Sequence, residues 1–165
     1  MADLIGTVRR NHALEHATLA VILRRLGRDI RAVGRATGDG YFLYADVPTD
    51  FFEECANEAL LRMKSGEGHL AVSPFCGTNI AVAGALTAAG SLAAIGLSRR
   101  GNRFPNAMLA SMLAIVVAQP LGRMLQKHVT TSADMSDTEI VGTRAGGRGG
   151  VRYHKVRTAR RPSAA

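Results

Sequence analysis

Residues 79–97 have the sequence NIAVAGALTAAGSLAAIGL, which contains no charged residue. A helix of about 20 apolar residues is long enough to cross the hydrocarbon core of a bilayer. A second apolar segment, residues 108–121, follows a short loop that contains three arginines. Small residues spaced four apart, such as Gly84 and Ala88, let two helices pack closely in lipid. We therefore predict a membrane hairpin over residues 79–125, with a buried soluble hairpin as the alternative.

The segments on either side of this hairpin carry the patterns of a small α+β domain. Apolar residues recur at three- and four-residue steps over residues 3–26, which predicts a helix with Asp3 as its N-cap and Gly27 just after its end. A second helix is predicted to begin at the N-cap Asp50 and to end near Ser65. Short runs with turn residues between them predict strands at residues 30–37, 41–47, 69–72, 138–144 and 151–158.

The predicted fold class is therefore α+β, with a small mixed sheet, two amphipathic helices and an inserted apolar two-helix membrane hairpin. We expect residues 1–78 to form the N-terminal α/β portion and residues 79–125 to form the hairpin. Residues 126–165 should complete the first portion with a strand pair, which is joined by a glycine-rich turn at residues 146–150. The basic tail from residue 160 is expected to be disordered.

The formal net charge of +8 is compatible with two kinds of anionic partner, nucleic acid and membrane lipid. Aromatic residues are only 5% and tryptophan is absent, so platforms for base stacking are scarce. We therefore expect no sequence-specific nucleic-acid binding and favour anionic lipid as the partner. Small residues on the helix faces would also permit a homo-oligomer.

Location is inferred from the cysteines and from the N-terminus. Two cysteines in different settings, Cys55 and Cys76, indicate a reducing compartment rather than a disulfide framework. Met1 is not followed by the basic and apolar regions of a signal peptide. We expect the soluble portion in the cytoplasm at the inner membrane. The arginines of the loop favour a cytoplasmic loop as well, but the loop of a hairpin that crosses the membrane lies on the side opposite its ends. A re-entrant hairpin, which does not cross fully, would satisfy both signals.

The strongest local signal is the helical motif H-x-x-E-H, formed by His12, Glu15 and His16. Two imidazoles one helical turn apart project from the same side, where they can bind one Zn²⁺. Glu15 could then act as the general base or as a further ligand. The order of residues matches the motif of the inverted zinc peptidases. The alternative is a buried polar cluster in which each histidine is hydrogen-bonded to the backbone.

A second element is Cys76-Gly77-Thr78-Asn79, immediately before the first apolar segment. A Cys76 thiolate beside two imidazoles would complete a ligand set suited to zinc. The alternative is that Cys76 is a small buried hydrophobic residue at the start of a helix. Further imidazoles could come from His69 or His154, each of which could equally have an ordinary surface or hydrogen-bonding role.

The sequences NHALEHAT at residues 11–18 and SPFCGTN at residues 73–79 resemble a family of uncharacterised bacterial membrane proteins, a domain of unknown function. That family is similar to predicted metal-dependent membrane enzymes that carry H-G-A-E-H and H-P-R-C-G-T. The resemblance implies a metal site at His12, His16 and Cys76, with Glu15 nearby. Ser73 stands where those relatives place a histidine, which weakens the case for catalysis more than the case for metal binding.

These observations lead to one main hypothesis and two alternatives. The main hypothesis is a membrane-anchored protein that binds a divalent metal, with zinc favoured, and that could be a metal-dependent hydrolase. The first alternative is a non-catalytic membrane accessory or assembly protein with a structural metal. The second is a protein without metal, in which His12, Glu15 and His16 form a polar core cluster.

Overall fold

The computed structural model describes residues 4–28, 30–148 and 151–161. These residues form two compact units, Met1–Ser73 with Val129–Ala165 and Pro74–His128. The α-helices and strands of the described part are α1 Leu4–Leu26, β1 Ala32–Thr37, β2 Gly40–Ala45, α2 Thr49–Lys64, α3 Gly77–Leu97, α4 Arg103–Leu125, β3 Thr138–Arg148 and β4 Val151–Arg160.

The first unit is built on a four-stranded sheet with the order β1-β2-β4-β3. All of its pairings are antiparallel, so the prediction of a mixed sheet is wrong. Both sequential pairs are hairpins, and β2 also pairs with β4 in the antiparallel sense. Gly40 has a φ of +140°, and a Cβ there would lie 1.9 Å from the Val156 carbonyl oxygen. Glycine at this position therefore permits the turn and the close approach of β4.

Helices α1 and α2 cover one face of this sheet and form the core with it. Leu14 and Ile22 of α1, Phe52 of α2, and Tyr41 and Leu43 of β2 are all fully buried. The inward residues of β2 alternate with less buried ones, as expected for a strand with one covered face. The predicted α+β class is confirmed.

Two local predictions differ from the structure, and a third cannot be compared with it. The segment predicted as a strand at residues 69–72 is a 3₁₀ turn, Gly68–Ala71, because the Val72 N–H bonds back to the His69 carbonyl. Helix α2 has Pro48 at its N-cap, and Asp50 lies within its first turn instead of capping it. The predicted cap of α1, Asp3, lies outside the described residues.

The C-terminal strands are longer than the pattern predicted. Strand β3 continues to Arg148, so it includes part of the glycine-rich segment, and residues 149–150 of the predicted turn lie outside the described residues. Strand β4 extends to Arg160, whose guanidinium forms an ion pair with Asp137. The prediction of disorder from residue 160 is therefore wrong for Arg160, and residues 162–165 lie outside the described part.

The second unit is the antiparallel pair of α3 and α4. Ser91 and Ser111 share a hydrogen bond of 2.7 Å, and a Cβ at Gly90 would lie 3.8 Å from the Ala110 Cβ. Small residues thus bring the two helices close together. Helix α4 begins at Arg103, before the predicted segment, and continues into a π-helical turn, Gln126–Thr130.

Both helices of this pair are long and apolar enough to cross a membrane. The two candidate spans, Gly77–Leu97 and Arg103–Thr130, have mean hydropathies of 1.9 and 1.6. The most apolar parts of these spans are 0% and 11% buried, whereas the core helix of a soluble protein is mostly buried. The pair therefore gives weak support, by length and composition, for association with a membrane.

Candidate metal centre

His12 and His16 lie side by side on α1. Their ring centroids are 4.4 Å apart and their ring planes are inclined by 60°. His16 is only 4% exposed and His12 is partly buried. The spacing of one helical turn therefore brings the two imidazoles together as the sequence predicted.

Backbone carbonyls hold the same atom, Nδ1, of both rings. His12 Nδ1 lies 3.0 Å from the Thr130 carbonyl oxygen, and His16 Nδ1 lies 2.8 Å from the Ala71 carbonyl oxygen. A carbonyl oxygen only accepts hydrogen bonds, so each neutral ring carries its proton on Nδ1 and its lone pair on Nε2. Histidines that bind metals typically donate their other N–H in this way, which fixes the tautomer and the orientation of the ring.

Cys76 is the N-cap residue of α3. Its Sγ accepts a hydrogen bond of 3.4 Å from the Thr78 N–H, and the residue is 5% exposed. His12 and His16 lie in the first unit, and Cys76 lies in the second. Imidazole and thiolate are both ligands that zinc accepts in proteins.

Asn79, the last residue of the Cys-Gly-Thr-Asn motif, fastens the start of α3. Its side-chain N–H donates to the Pro74 carbonyl at 2.9 Å, and its Oδ1 accepts from Gln126 Nε2 at 2.9 Å. A Cβ at Gly122 would lie 2.2 Å from Asn79 Oδ1, so α4 approaches this amide closely. Both polar side chains are buried, and the network fixes the turn that carries Cys76.

Glu15 lies against the sheet. It is 7% exposed, and a Cβ at Gly34 of β1 would fall 1.8 Å from its Oε1. Its charge also acts on Tyr41, whose pKa is raised mainly by burial and further by the nearby Glu15 carboxylate. The missing side chain at Gly34 thus makes the space in which this buried carboxylate packs.

The other residues of the NHALEHAT motif connect α1 to the core. Asn11 donates to the Thr37 carbonyl at 2.8 Å and accepts from the Thr158 hydroxyl at 2.7 Å. The hydroxyls of Thr18 and Tyr41 are 2.7 Å apart, and both residues are fully buried. Fully buried apolar side chains occupy the remaining positions, namely Ala13, Leu14 and Ala17.

Neither of the two further candidate ligands, His69 and His154, joins His12 and His16 in a group of potential metal ligands among the described residues. His69 is exposed on the 3₁₀ turn. His154 is fully buried in β4 and stacks on Phe52, with ring centroids 4.2 Å apart and planes inclined by 10°. Burial lowers the pKa of His154, and backbone groups of Val47 and Ala45 oppose this shift in part.

Three features of this region were missed by the sequence interpretation. They are the Thr130 carbonyl, the Ala71 carbonyl and the space at Gly34. The two carbonyls are backbone atoms distant in sequence from the histidines, so no residue type signals them. Gly34 within a strand pattern is a known signal of close approach by another group.

The chain belongs to a family described as a domain of unknown function, DUF6391, whose model matches residues 7–143. It is also similar to an uncharacterized protein of Picosynechococcus sp. (strain ATCC 27264 / PCC 7002 / PR-6). The two are 32% identical over 139 residues, which make up 78% of this chain and 68% of that protein. No solved structure matches this chain. The expected membership of an uncharacterised family is confirmed.

Proposed function

We propose that this protein is a membrane-anchored metal-binding protein in which His12, His16 and Cys76 hold a divalent metal, preferably zinc. The observation that carries the proposal is the pair of hydrogen bonds from the two Nδ1 atoms to backbone carbonyls. They leave a lone pair on Nε2 of each ring, and a neutral imidazole with such a lone pair is the form that binds metals. The two rings are adjacent on one helix. A metal-free polar cluster would make the same two hydrogen bonds, so the metal content of the protein decides between the two hypotheses.

The donor set indicates which metals fit. Two imidazoles and one thiolate suit a borderline-soft ion, whereas magnesium and calcium prefer oxygen ligands. Zinc binds such ligands at about 2.0–2.1 Å for nitrogen and about 2.3 Å for sulfur. When bound, the metal would supply a Lewis acid beside the start of the apolar hairpin.

The test is the metal content of the full chain, purified in detergent and measured by mass spectrometry. We expect about one zinc per chain in the wild type and loss of that zinc in His12→Ala/His16→Ala. A matched control is His69→Ala/His128→Ala, which removes two exposed imidazoles and should keep the metal. Equal metal content in the two double variants, with both folded by circular dichroism, would contradict the proposal.

A metal-dependent hydrolase is a second candidate, favoured by the number of ligands. Structural zinc sites are usually closed by four protein ligands, whereas catalytic sites use three and keep one position for water or substrate. The proposed set of His12, His16 and Cys76 supplies three. In this candidate Glu15, next to His16 on α1, would accept the proton from the reacting water, which requires its carboxylate to leave the space at Gly34 in which it packs.

The open position can be tested without a known substrate. In cobalt-substituted protein, an added anion such as azide should change the visible spectrum if a coordination position is accessible. Glu15→Gln should retain cobalt and should alter the pH dependence of the spectrum. If azide has no effect while cobalt is bound, the site is closed, which supports a non-catalytic accessory or assembly protein with a structural metal.

The two apolar helices also bear on the location of the protein. Two apolar helices support anchoring in a membrane, and we propose the inner membrane of a bacterium with the first unit in the cytoplasm. Protease digestion of intact spheroplasts should then leave residues 129–161 uncut, and digestion of inverted vesicles should remove them. The opposite pattern would reverse the orientation.

A further inference from the structure

The face of the sheet opposite α1 and α2, here called the outer face, combines basic and aromatic side chains. Side chains alternate between the two faces of a strand. Because Tyr41 and Leu43 of β2 point into the core, Phe42 and Tyr44 belong to the outer face. Pairing across the sheet places further residues there, namely Arg35, Arg144, Tyr153, Lys155 and Arg157.

Three arginines of the outer face are available for an anionic partner. Arg35, Arg144 and Arg157 are exposed, and no ion pair within the described part of the chain involves them. Lys155 differs, since its ammonium group pairs with Asp39 at 2.7 Å. The three guanidinium groups, one from each of three strands, therefore give the outer face an uncompensated positive charge.

The aromatic rings of the outer face form a closed cluster. The ring centroid of Tyr153 is 5.8 Å from that of Tyr44 and 6.0 Å from that of Phe42. The Lys155 ammonium lies 4.3 Å above the Phe42 ring, and a Cβ at Gly146 would touch the Tyr153 ring at 2.6 Å. Since base stacking needs open ring faces, this cluster is a poor platform for nucleic acid. Tyrosines beside cations are instead typical of the membrane–water interface.

We propose that the outer face binds the anionic headgroups of a lipid bilayer. The first unit continues directly into the apolar helices at both ends, at residue 74 and at residue 128. Such a double tether would hold the unit near lipid and raise the effective concentration of headgroups around it. This inference rests on the membrane anchoring in the proposed function and is independent of the metal.

The tyrosines give a direct readout of this contact. The chain has no tryptophan and three tyrosines, of which Tyr41 is fully buried, so Tyr44 and Tyr153 report the outer face. The full chain is placed in nanodiscs of phosphatidylcholine that carry a spin label on the headgroup, with or without phosphatidylglycerol. We expect stronger quenching of tyrosine fluorescence in the anionic discs, and we expect added salt to remove the difference.

The outer-face variant is Arg35→Gln/Arg144→Gln/Arg157→Gln. Each arginine near an anionic surface strengthens binding about fivefold. In the triple variant, the ratio of molecules with the outer face on the lipid to molecules with it in solution should therefore fall on the order of 100-fold. Its quenching in anionic discs should fall to the level in neutral discs. The corresponding triple lysine variant should restore the quenching and should show that the fold is intact.

A matched control removes the same charge elsewhere. Arg24→Gln/Arg28→Gln/Arg31→Gln also removes three exposed arginines, and its tyrosine fluorescence should be quenched as strongly as that of the wild type. Equal quenching in the two kinds of disc, or equal loss in both glutamine variants, would overturn the proposal.

Two further outcomes identify what has failed. A thymidine oligonucleotide could bind through the same three arginines. If it binds the outer face more tightly than anionic discs do, the face recognises nucleic acid and the lipid proposal is overturned. Failure of the wild type to enter nanodiscs would contradict the membrane anchoring itself, and the lipid proposal with it. Successful entry without dependence on anionic lipid would contradict the lipid proposal alone.

Discussion

Replacing Gly34 with alanine should destabilise the first unit, because Glu15 occupies the space of the missing side chain. The added Cβ would lie 1.8 Å from Glu15 Oε1, about 1.6 Å short of the 3.4 Å at which ordinary contact begins. The carboxylate end of Glu15 is flexible, but the residue is 7% exposed and has little room to move aside. Overpacking of this kind costs about 1–3 kcal/mol, and the melting temperature should fall by roughly 5–15 °C.

The assay is thermal unfolding in detergent, followed by circular dichroism. Gly142→Ala in β3 is the control, because a Cβ there meets nothing within 4 Å. It should change the free energy of unfolding by less than about 0.5 kcal/mol. In a Glu15→Ala background the cost of Gly34→Ala should largely disappear, which a double-mutant cycle would record as coupling. The reasoning is refuted if Gly34→Ala costs no more than Gly142→Ala, or if its cost is unchanged without the Glu15 carboxylate.

Three other perturbations should act through buried polar groups. Burial lowers the pKa of His154 below its usual 6.5, so the unfolded chain binds more protons than the folded chain as the pH falls through that value, and the protein loses stability. Urea unfolding on either side of pH 6.5 measures this loss, which should be smaller in His154→Phe. Thr18→Val removes the buried partner of the Tyr41 hydroxyl and should cost about 1–3 kcal/mol in the same assay, whereas Thr18→Ser should cost less. Asn79→Ala removes the acceptor of the Gln126 amide and should lower the midpoint of thermal unfolding by several degrees, with an unchanged midpoint counting against the buried network.

The elements with a regular pattern were predictable from the sequence. Helix α1 and the apolar pair α3 and α4 have long uninterrupted signals, and the short strands β1 and β2 surround a glycine turn. The segment around His69 was not predictable, because a four-residue 3₁₀ turn and a short strand give similar patterns. Its conformation depends on the backbone bonding near Gly66, which has a positive φ of 96°.

The candidate site was predictable as to its residues but not as to its surroundings. The H-x-x-E-H spacing placed His12 and His16 on one side of α1, where their rings now lie 4.4 Å apart. The tautomers depend on the Thr130 and Ala71 carbonyls, which are 118 and 55 residues away from their histidines. Contacts at that separation are set by the tertiary fold, so a local pattern carries no information about them.

The aromatic cluster of the outer face was also not predictable from the sequence. Few aromatic residues in the composition led to the expectation of no stacking platform, and composition does not reveal that Phe42, Tyr44 and Tyr153 lie together. The register between β2 and β4 brings them into contact, with Tyr44 directly opposite Tyr153. The third tyrosine, Tyr41, is buried in the core.

The most direct test of the central claim is X-ray absorption at the zinc edge of the full chain loaded with one zinc. We predict a first shell with two nitrogen scatterers at about 2.0–2.1 Å and one sulfur at about 2.3 Å. Cys76→Ser should lose the sulfur and keep the nitrogens, and His12→Ala/His16→Ala should lose the bound zinc. A shell of oxygen alone, or a sulfur signal that remains in Cys76→Ser, would contradict the proposed centre.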